Sequence, residues 1–261
     1  MTLLREKYSP ETLPYHIIVP SHPGFALSSD PPLDRDWQVA DTARILHKLL
    51  LSIGFGSTGY LVQGGDIGSF FSRIMAATYS ECKGMHLNFM LMTGIMDYAT
   101  PEDQLSAEEK VGQQRFKDFF AKGHAYAQMH STKPSTTGLV LASSPVAQLA
   151  WIGEKFLAWC DPATPVNLHT IISDITLYWL TGCFPTSMYT YREDKKLRYV
   201  DKPVGYSYFP YELAPIPKAW AEKTGKMVFF KAHEKGGHFA ALERTEALWE
   251  DVEEFAKIAW K

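Results

Sequence analysis

A carboxylate set among glycines occupies the stretch Gln63-Gly64-Gly65-Asp66-Ile67-Gly68-Ser69. The small-x-nucleophile-x-small spacing is that of a nucleophile elbow, a tight turn from strand to helix that holds its central residue out at the strand's end. Serine is the usual occupant. An aspartate there can attack carbon to give an ester, and the backbone N–H of Ile67, near a helix N-terminus, can later stabilise an oxyanion. Local sequence leaves a second reading open, because aspartate is also a good helix N-cap and Asp66 taken alone fits that role about as well.

The rest of the chain favours chemistry. Gly236-Gly237-His238-Phe239-Ala240-Ala241 follows the last strand pattern, where a triad histidine stands when the chain order is nucleophile, acid, histidine. None of the other histidines has a comparable setting. The acid partner belongs in the loop after the preceding strand, and Phe209-Pro210-Tyr211-Glu212-Leu213 supplies Glu212. Taken singly, Glu212 reads as a solvated loop glutamate; beside Asp66 and His238 it reads as the third member.

These side chains need a scaffold of strand ends. Tyr15-His16-Ile17-Ile18-Val19-Pro20 reads as a short buried strand closed by proline, followed by the loop His22-Pro23-Gly24. From Trp37 to Leu51 the apolar residues Val39, Ala43, Ile45, Leu46, Leu49 and Leu50 recur at helical spacing, and Gly54 and Gly56 end that helix. Gly59 to Gln63 is a second buried strand, a helix begins near Ser69, and Met85 to Leu91 is a third strand. Strands alternating with helices imply a parallel sheet covered on both faces. Between Tyr98 and Val200 the patterns are helical, with Trp151, Trp159 and Trp179, which reads as an inserted cap. The sheet resumes at Val204–Phe209 and Met227–Lys231, and an amphipathic helix from Thr245 to Trp260 closes the chain. The expected division is therefore an α/β core part over 1–97, a helical cap over 98–200 and a second core part over 201–261. The charged run Arg192-Glu193-Asp194-Lys195-Lys196 reads as a solvated loop.

Composition narrows the function classes. The 261 residues are 46% hydrophobic and 21% charged with a formal net charge of −3, which offers no basic field for phosphates and makes nucleic acid an unexpected partner. Cys82, Cys160 and Cys183 are odd in number and far apart, so no disulfide framework or zinc knuckle is expected, and a reducing, cytoplasmic setting fits. The N-terminus has no apolar signal region, and no run of about 18 apolar residues suggests a membrane span.

The chain resembles the microsomal and fungal branch of the epoxide hydrolases within the α/β-hydrolase superfamily. The resemblance runs through Leu4-Arg5-Glu6-Lys7-Tyr8, Gly64-Gly65-Asp66-Ile67-Gly68, Ser131-Thr132-Lys133-Pro134, Trp151-Ile152-Gly153-Glu154-Lys155-Phe156 and Gly236-Gly237-His238-Phe239-Ala240-Ala241-Leu242-Glu243. It implies an α/β-hydrolase fold with a mostly parallel sheet and an inserted helical cap. It also implies Asp66 as nucleophile, Glu212 as orienting acid and His238 as base. Two cap tyrosines would grip the epoxide oxygen: by local match Tyr126 and Tyr191, with Tyr189 a close neighbour of the second. A phenol suits that task, since it donates a hydrogen bond without ionising at neutral pH. With 13 tyrosines in the chain, each one singly also reads as a structural cap residue. Haloalkane dehalogenases share the aspartate elbow but resemble a pattern with tryptophan after the nucleophile, where this chain has Ile67.

The implied reaction opens a lipophilic epoxide to a vicinal diol with no metal and no organic cofactor. Asp66 opens the ring to an alkyl-enzyme ester, and water activated by His238 attacks the ester carbonyl. The family carries, upstream of the first strand seen here, further strands and a His-Gly-x-Pro turn that completes the oxyanion hole. No His-Gly-x-Pro occurs in this chain, and His22-Pro23-Gly24 differs in order. The resemblance therefore implies an N-terminally truncated sheet, and losing one oxyanion donor costs about 10²–10³ in rate. The alternative expectation is a relative that keeps the pocket and binds or isomerises an apolar ligand without complete hydrolysis. The expected partner is a small lipophilic epoxide, and a homodimer stays open.

Overall fold

Strand and helix patterns alternate over the first part of the chain, and the computed structural model, which describes residues 2–91, 104–192 and 199–260, folds them accordingly. After a short helix α1 (Thr2–Lys7) comes α2 (Val39–Leu50), whose Val39, Ala43 and Leu46 are buried at spacings of four and three. A wide turn, Leu51–Phe55, ends it, with Gly54 at φ +104°, a conformation that glycine adopts without penalty. Then follow β1 (Tyr60–Gly64), α3 (Asp66–Thr78) and β2 (Cys82–Leu87). The strand expected to end at Leu91 stops at Leu87, and the helix expected near Ser69 begins at Asp66.

Between β2 and β3 the regular elements of the described residues are helical: α4 (Ala107–Asp118), α5 (Ala125–Thr132), α6 (Pro134–Ala142), α7 (Pro145–Trp159), α8 (Leu168–Thr181) and α9 (Phe184–Ser187). Side-chain caps start α4 and α8. Ser106 accepts from the Glu109 N–H while Glu109 reaches back to the Ser106 N–H, and Asn167 accepts from the Thr170 N–H. The expected boundary at 97/98 and the charged positions 193–196 lie outside the described residues. The chain returns with β3 (Val200–Tyr208), which starts at the last residue of the expected cap. It continues with α10 (Lys218–Ala221), β4 (Gly225–Ala232), α11 (Ala240–Glu243) and α12 (Thr245–Ala259).

The four strands of the described residues form one sheet in the order β1-β2-β3-β4, with every pairing parallel. Register aligns Gly64, Leu87, Tyr206 and Phe230 in one row across the sheet's C-terminal end. Met85, Leu87, Val204 and Tyr206 are fully buried, as strands covered on both faces require. Phe71 and Met75 of α3 belong to the core cluster on one face. Across the sheet, Phe255 of α12 sits so close to Gly205 that a Cβ there would come within 2.7 Å of its ring.

One expected strand does not form. Residues 15–20 take no strand conformation, and Ile18 and Val19 are 40% and 74% exposed. Apolar, β-branched composition supplies β-propensity but no ladder, and among the described residues no backbone hydrogen bond pairs this segment with the edge strand β1. Among the described residues no helix is long and apolar enough to cross a membrane.

Candidate active site

All strands run the same way, so the loops after β1, β2, β3 and β4 open at one end of the sheet, where doubly covered parallel sheets place their sites. Asp66 follows β1, Glu212 follows β3 and His238 follows β4. The turn at Asp66 is forced. Its φ is +42°, a left-handed conformation that costs a non-glycine residue on the order of 1–3 kcal/mol and that aspartate tolerates better than most. A Cβ on Gly64 would overlap the carbonyl of Gly68, and one on Gly65 would lie 2.8 Å from the Asn88 amide. Gly68 itself has open space where a side chain would go, so of the two glycines expected to permit the elbow, Gly64 is the one sterics demand. The Ser69 hydroxyl donates to the Asp66 carbonyl at 2.6 Å, and Gln63 holds Asn88 against the turn at 2.8 Å. Ile67 lies in the first turn of α3, where backbone N–H groups lack intrahelical partners.

His238 Nδ1 donates to Glu212 Oε1 at 2.6 Å, which leaves Nε2 to face Asp66 Oδ2 at 3.9 Å. The imidazole and the Glu212 carboxylate are almost wholly buried, whereas the Asp66 side chain is 50% exposed. Burial disfavours a charged imidazole, but Glu212, by charge and hydrogen bond, and then Asp66 and Glu243 outweigh it and push His238 up to about 9. Glu212 Oε1 also accepts the Leu213 N–H at 2.6 Å. Arg115 of α4 fixes the same loop by donating to the carbonyls of Tyr211 and Glu212 at 3.0 and 2.9 Å.

Tyr126 on α5 and Tyr191, in the turn Tyr189–Arg192, meet edge to face with centroids 6.0 Å apart. Burial pushes both phenols above their ordinary value. The Asp66 carboxylate adds to this at both, so they share its neighbourhood and stay protonated at neutral pH. Phe89, after β2, and Trp159, at the end of α7, set their rings against His238 at 5.7 and 5.1 Å, and Trp159 also touches Tyr126 at 5.2 Å. The arrangement sets an imidazole and two phenols among aromatic rings, near a half-exposed carboxylate.

Several members of this surround were not singled out from sequence. Lys155 places its ammonium over the rings of Tyr126, Trp151 and Trp159 at 4.9, 5.2 and 5.8 Å. His130 is buried between Tyr126 and Tyr191. It accepts from the Trp151 indole through Nε2 at 3.1 Å and is lowered to about 4 by burial and by Lys155. Asp161 and Glu243 bracket the His238 loop. Lys155, Trp151 and Glu243 stand inside the stretches that carry the family resemblance, the one signal that pointed at them. The three cysteines are buried free thiols.

Residues 6–138 match the family described as the alpha/beta hydrolase fold. A Dothistroma septosporum protein provisionally named an epoxide hydrolase is 44% identical over 265 residues, which cover 100% of this chain and 62% of that protein. Epoxide hydrolase 1 of Oryctolagus cuniculus is 29% identical, over 94% of this chain and 60% of its own. The solved structure of Aspergillus niger epoxide hydrolase superposes with a TM-score of 0.93 at 49% identity, covering 99% of this chain and 67% of that one. The chain thus spans 60–62% of the length of these curated relatives.

Proposed function

Because the chain belongs to the α/β-hydrolase fold family, on the branch of the epoxide hydrolases, we propose that it opens a lipophilic epoxide to a vicinal diol through an ester on Asp66. The observation that carries this reading is the spacing within the triad. A serine nucleophile must give its proton to the histidine and therefore touches it, whereas His238 Nε2 stands 3.9 Å from Asp66 Oδ2, beyond a hydrogen bond. A carboxylate has no proton to give, so the imidazole is left for a different task, activation of the water that later attacks the ester.

In the first step an Asp66 oxygen attacks one carbon of the strained ring and the carbon–oxygen bond to that carbon breaks. Tyr126 and Tyr191 donate to the departing oxygen, and their raised affinity for protons suits donors that must remain neutral until charge develops. In the second step His238 takes a proton from water, the hydroxide adds to the ester carbonyl, and the N–H of Ile67 receives the oxyanion. Glu212 fixes the tautomer through Nδ1 and offsets the charge of the imidazolium that forms. Collapse of the tetrahedral species returns the Asp66 carboxylate, with the proton of the added hydroxide passing to the oxygen released from the ester. The imidazolium gives its proton back to the alkoxide side held by the phenols, so that the neutral diol leaves and His238 is again a neutral base. Carbon-rich surroundings from Phe89, Trp159 and the tyrosine rings favour an apolar substrate.

The test is a single turnover of a lipophilic epoxide in heavy-oxygen water, followed by peptide mass analysis. Water attacks the ester carbonyl, so the Asp66 peptide should gain the label while the diol carries unlabelled aspartate oxygen. Label in the diol alone would exclude the ester. His238→Gln should in addition accumulate one equivalent of alkylated protein, because ring opening needs no base.

A further inference from the structure

The backbone of the base is seated largely by groups from outside its own loop. Four consecutive amides carry His238. Gly236 N–H donates to Asp161 Oδ2 at 2.8 Å and Gly237 N–H to Glu243 Oε2 at 2.9 Å. His238 N–H donates to the Trp159 carbonyl at 3.0 Å and Phe239 N–H to Glu243 Oε1 at 2.9 Å. Asp161 and the Trp159 carbonyl belong to the end of α7 and the connection to α8. Glu243 ends α11 and binds the same connection, accepting from the Asp161 N–H at 2.7 Å and the Thr164 hydroxyl at 3.3 Å.

The fit leaves no slack. A Cβ on Gly237 would come within 2.5 Å of the Trp159 carbonyl oxygen and 2.9 Å of the Asp161 nitrogen, so backbone lies directly on backbone there. Asp161 is 2% exposed and is itself fixed by the Ala163 N–H at 2.8 Å. One carboxylate, Glu243, therefore accepts from the residues on both sides of the base and from two residues of the α7–α8 connection.

We propose that Glu243 is a positioning residue for His238, and that through it the α7–α8 connection carries the base, so that ester hydrolysis depends on this seat while ring opening does not. The proposal rests on the ester mechanism above only for its kinetic consequence. Ring opening needs Asp66 and the phenols, none of which Glu243 touches. Hydrolysis needs Nε2 aimed at a water beside the ester, and a displacement of the His238 backbone moves Nε2 with it. The charged groups facing the imidazole are Glu212 from the loop after β3, Asp66 from the start of α3 and Glu243 from α11.

The experiment compares the chain with Glu243→Gln and Asp161→Asn. Glutamine presents an N–H₂ where one backbone N–H must be accepted, and Asp161→Asn disturbs the seat from the other side. Three readouts apply: amide exchange at Gly237, His238 and Phe239, the titration midpoint of the His238 ring by NMR, and single-turnover rates of ester formation and decay by intact mass. Exchange at the three amides should accelerate and ester decay should slow by about ten- to a hundredfold, the range that follows from losing one hydrogen bond to a charged group. Ester formation should change less than about threefold. The ring midpoint should fall in Glu243→Gln, because a neighbouring negative charge is gone. Unchanged exchange with unchanged decay overturns the proposal. So does a parallel loss of both rates with a lower melting temperature and an unmoved midpoint, which would mark a structural role only. Exchange and the ring titration need no turnover, so failure of the unsubstituted chain to form an ester would overturn the mechanism and still decide the seat.

Discussion

Replacing Asp66 with asparagine removes one charge and almost no volume, and it mimics the electrostatic state that the proposed ester would give the site. Against the opposing effect of burial, its acid neighbours raise His238 to about 9, so at pH 7 the imidazole favours its charged form. In the proposed mechanism ester formation would cancel the Asp66 charge 3.9 Å from Nε2 and so release the imidazole from part of its protonation before the second step. At about 4 Å two unit charges interact by ~1 kcal/mol in water and ~4 kcal/mol at an effective dielectric of about 20. Asp66 is 50% exposed, which puts the pair near the screened end, about 1–2 kcal/mol or about one pH unit. The ring midpoint should therefore fall by about one unit in Asp66→Asn. Glu212→Gln should lower it further, since Glu212 is buried and in contact at 2.6 Å. The assay is an NMR titration of the His238 ring in the three proteins, with assignment by His238→Gln. An unmoved midpoint in Asp66→Asn, or a larger fall there than in Glu212→Gln, would refute the electrostatic account.

Other outcomes follow from the same geometry. Tyr126→Phe and Tyr191→Phe should each slow ester formation by about 10²-fold, a typical worth for a positioned proton donor, while the decay of preformed ester stays within about twofold, as stopped-flow tryptophan fluorescence can resolve. Gly64→Ala, which drives a Cβ into the Gly68 carbonyl and within 2.6 Å of Ser72 Oγ, should destabilise by about 1–3 kcal/mol in urea unfolding. Gly68→Ala, with nothing within 4 Å of its Cβ, should lie within about 1 kcal/mol of neutral. The pH dependence of stability has a defined sign. A histidine raised above its unfolded value contributes stability that is complete below about 6.5 and is lost as pH rises to about 9, on the order of 3 kcal/mol for this buried group. Urea midpoints measured from pH 6 to 10 should show a decline over that window that shrinks in His238→Gln.

The parts of the site that were legible in the sequence are those whose chemistry is tied to local backbone form. Asp66 was readable because a strand-to-helix elbow imposes small neighbours, and His238 and Glu212 because strand order places triad members after successive strands. Tyr126 and Tyr191 came from the family resemblance, and no local pattern distinguishes them from the other tyrosines. The segment 15–20 shows the limit of periodicity. Its apolar residues match a buried strand, but pairing needs a neighbouring edge, and Val19 is 74% exposed. The helix after the elbow began at Asp66 and not near Ser69 because its first turn incorporates Gly68, which composition reads as loop.

By itself the sequence determined the alternation of strands and helices, the helical insertion between β2 and β3, and the identity of the three polar residues at the strand ends. These follow from short-range rules: side-chain period, and the small residues that a strand-to-helix turn demands. Only the tertiary structure decided which other charged side chains stand around Asp66, Glu212 and His238. Asp161, Glu243 and Arg115 bind backbone groups as far as 75, 82 and 97 residues away, and nothing in their own neighbourhoods announces it. It also brought Glu212, Asp66 and Glu243 from a loop and two helices to His238, where, against the opposing effect of burial, they together raise its proton affinity. Contacts between distant segments cost chain entropy that only the complete fold offsets, so their partners are chosen by the packing of the whole and leave no mark on local sequence.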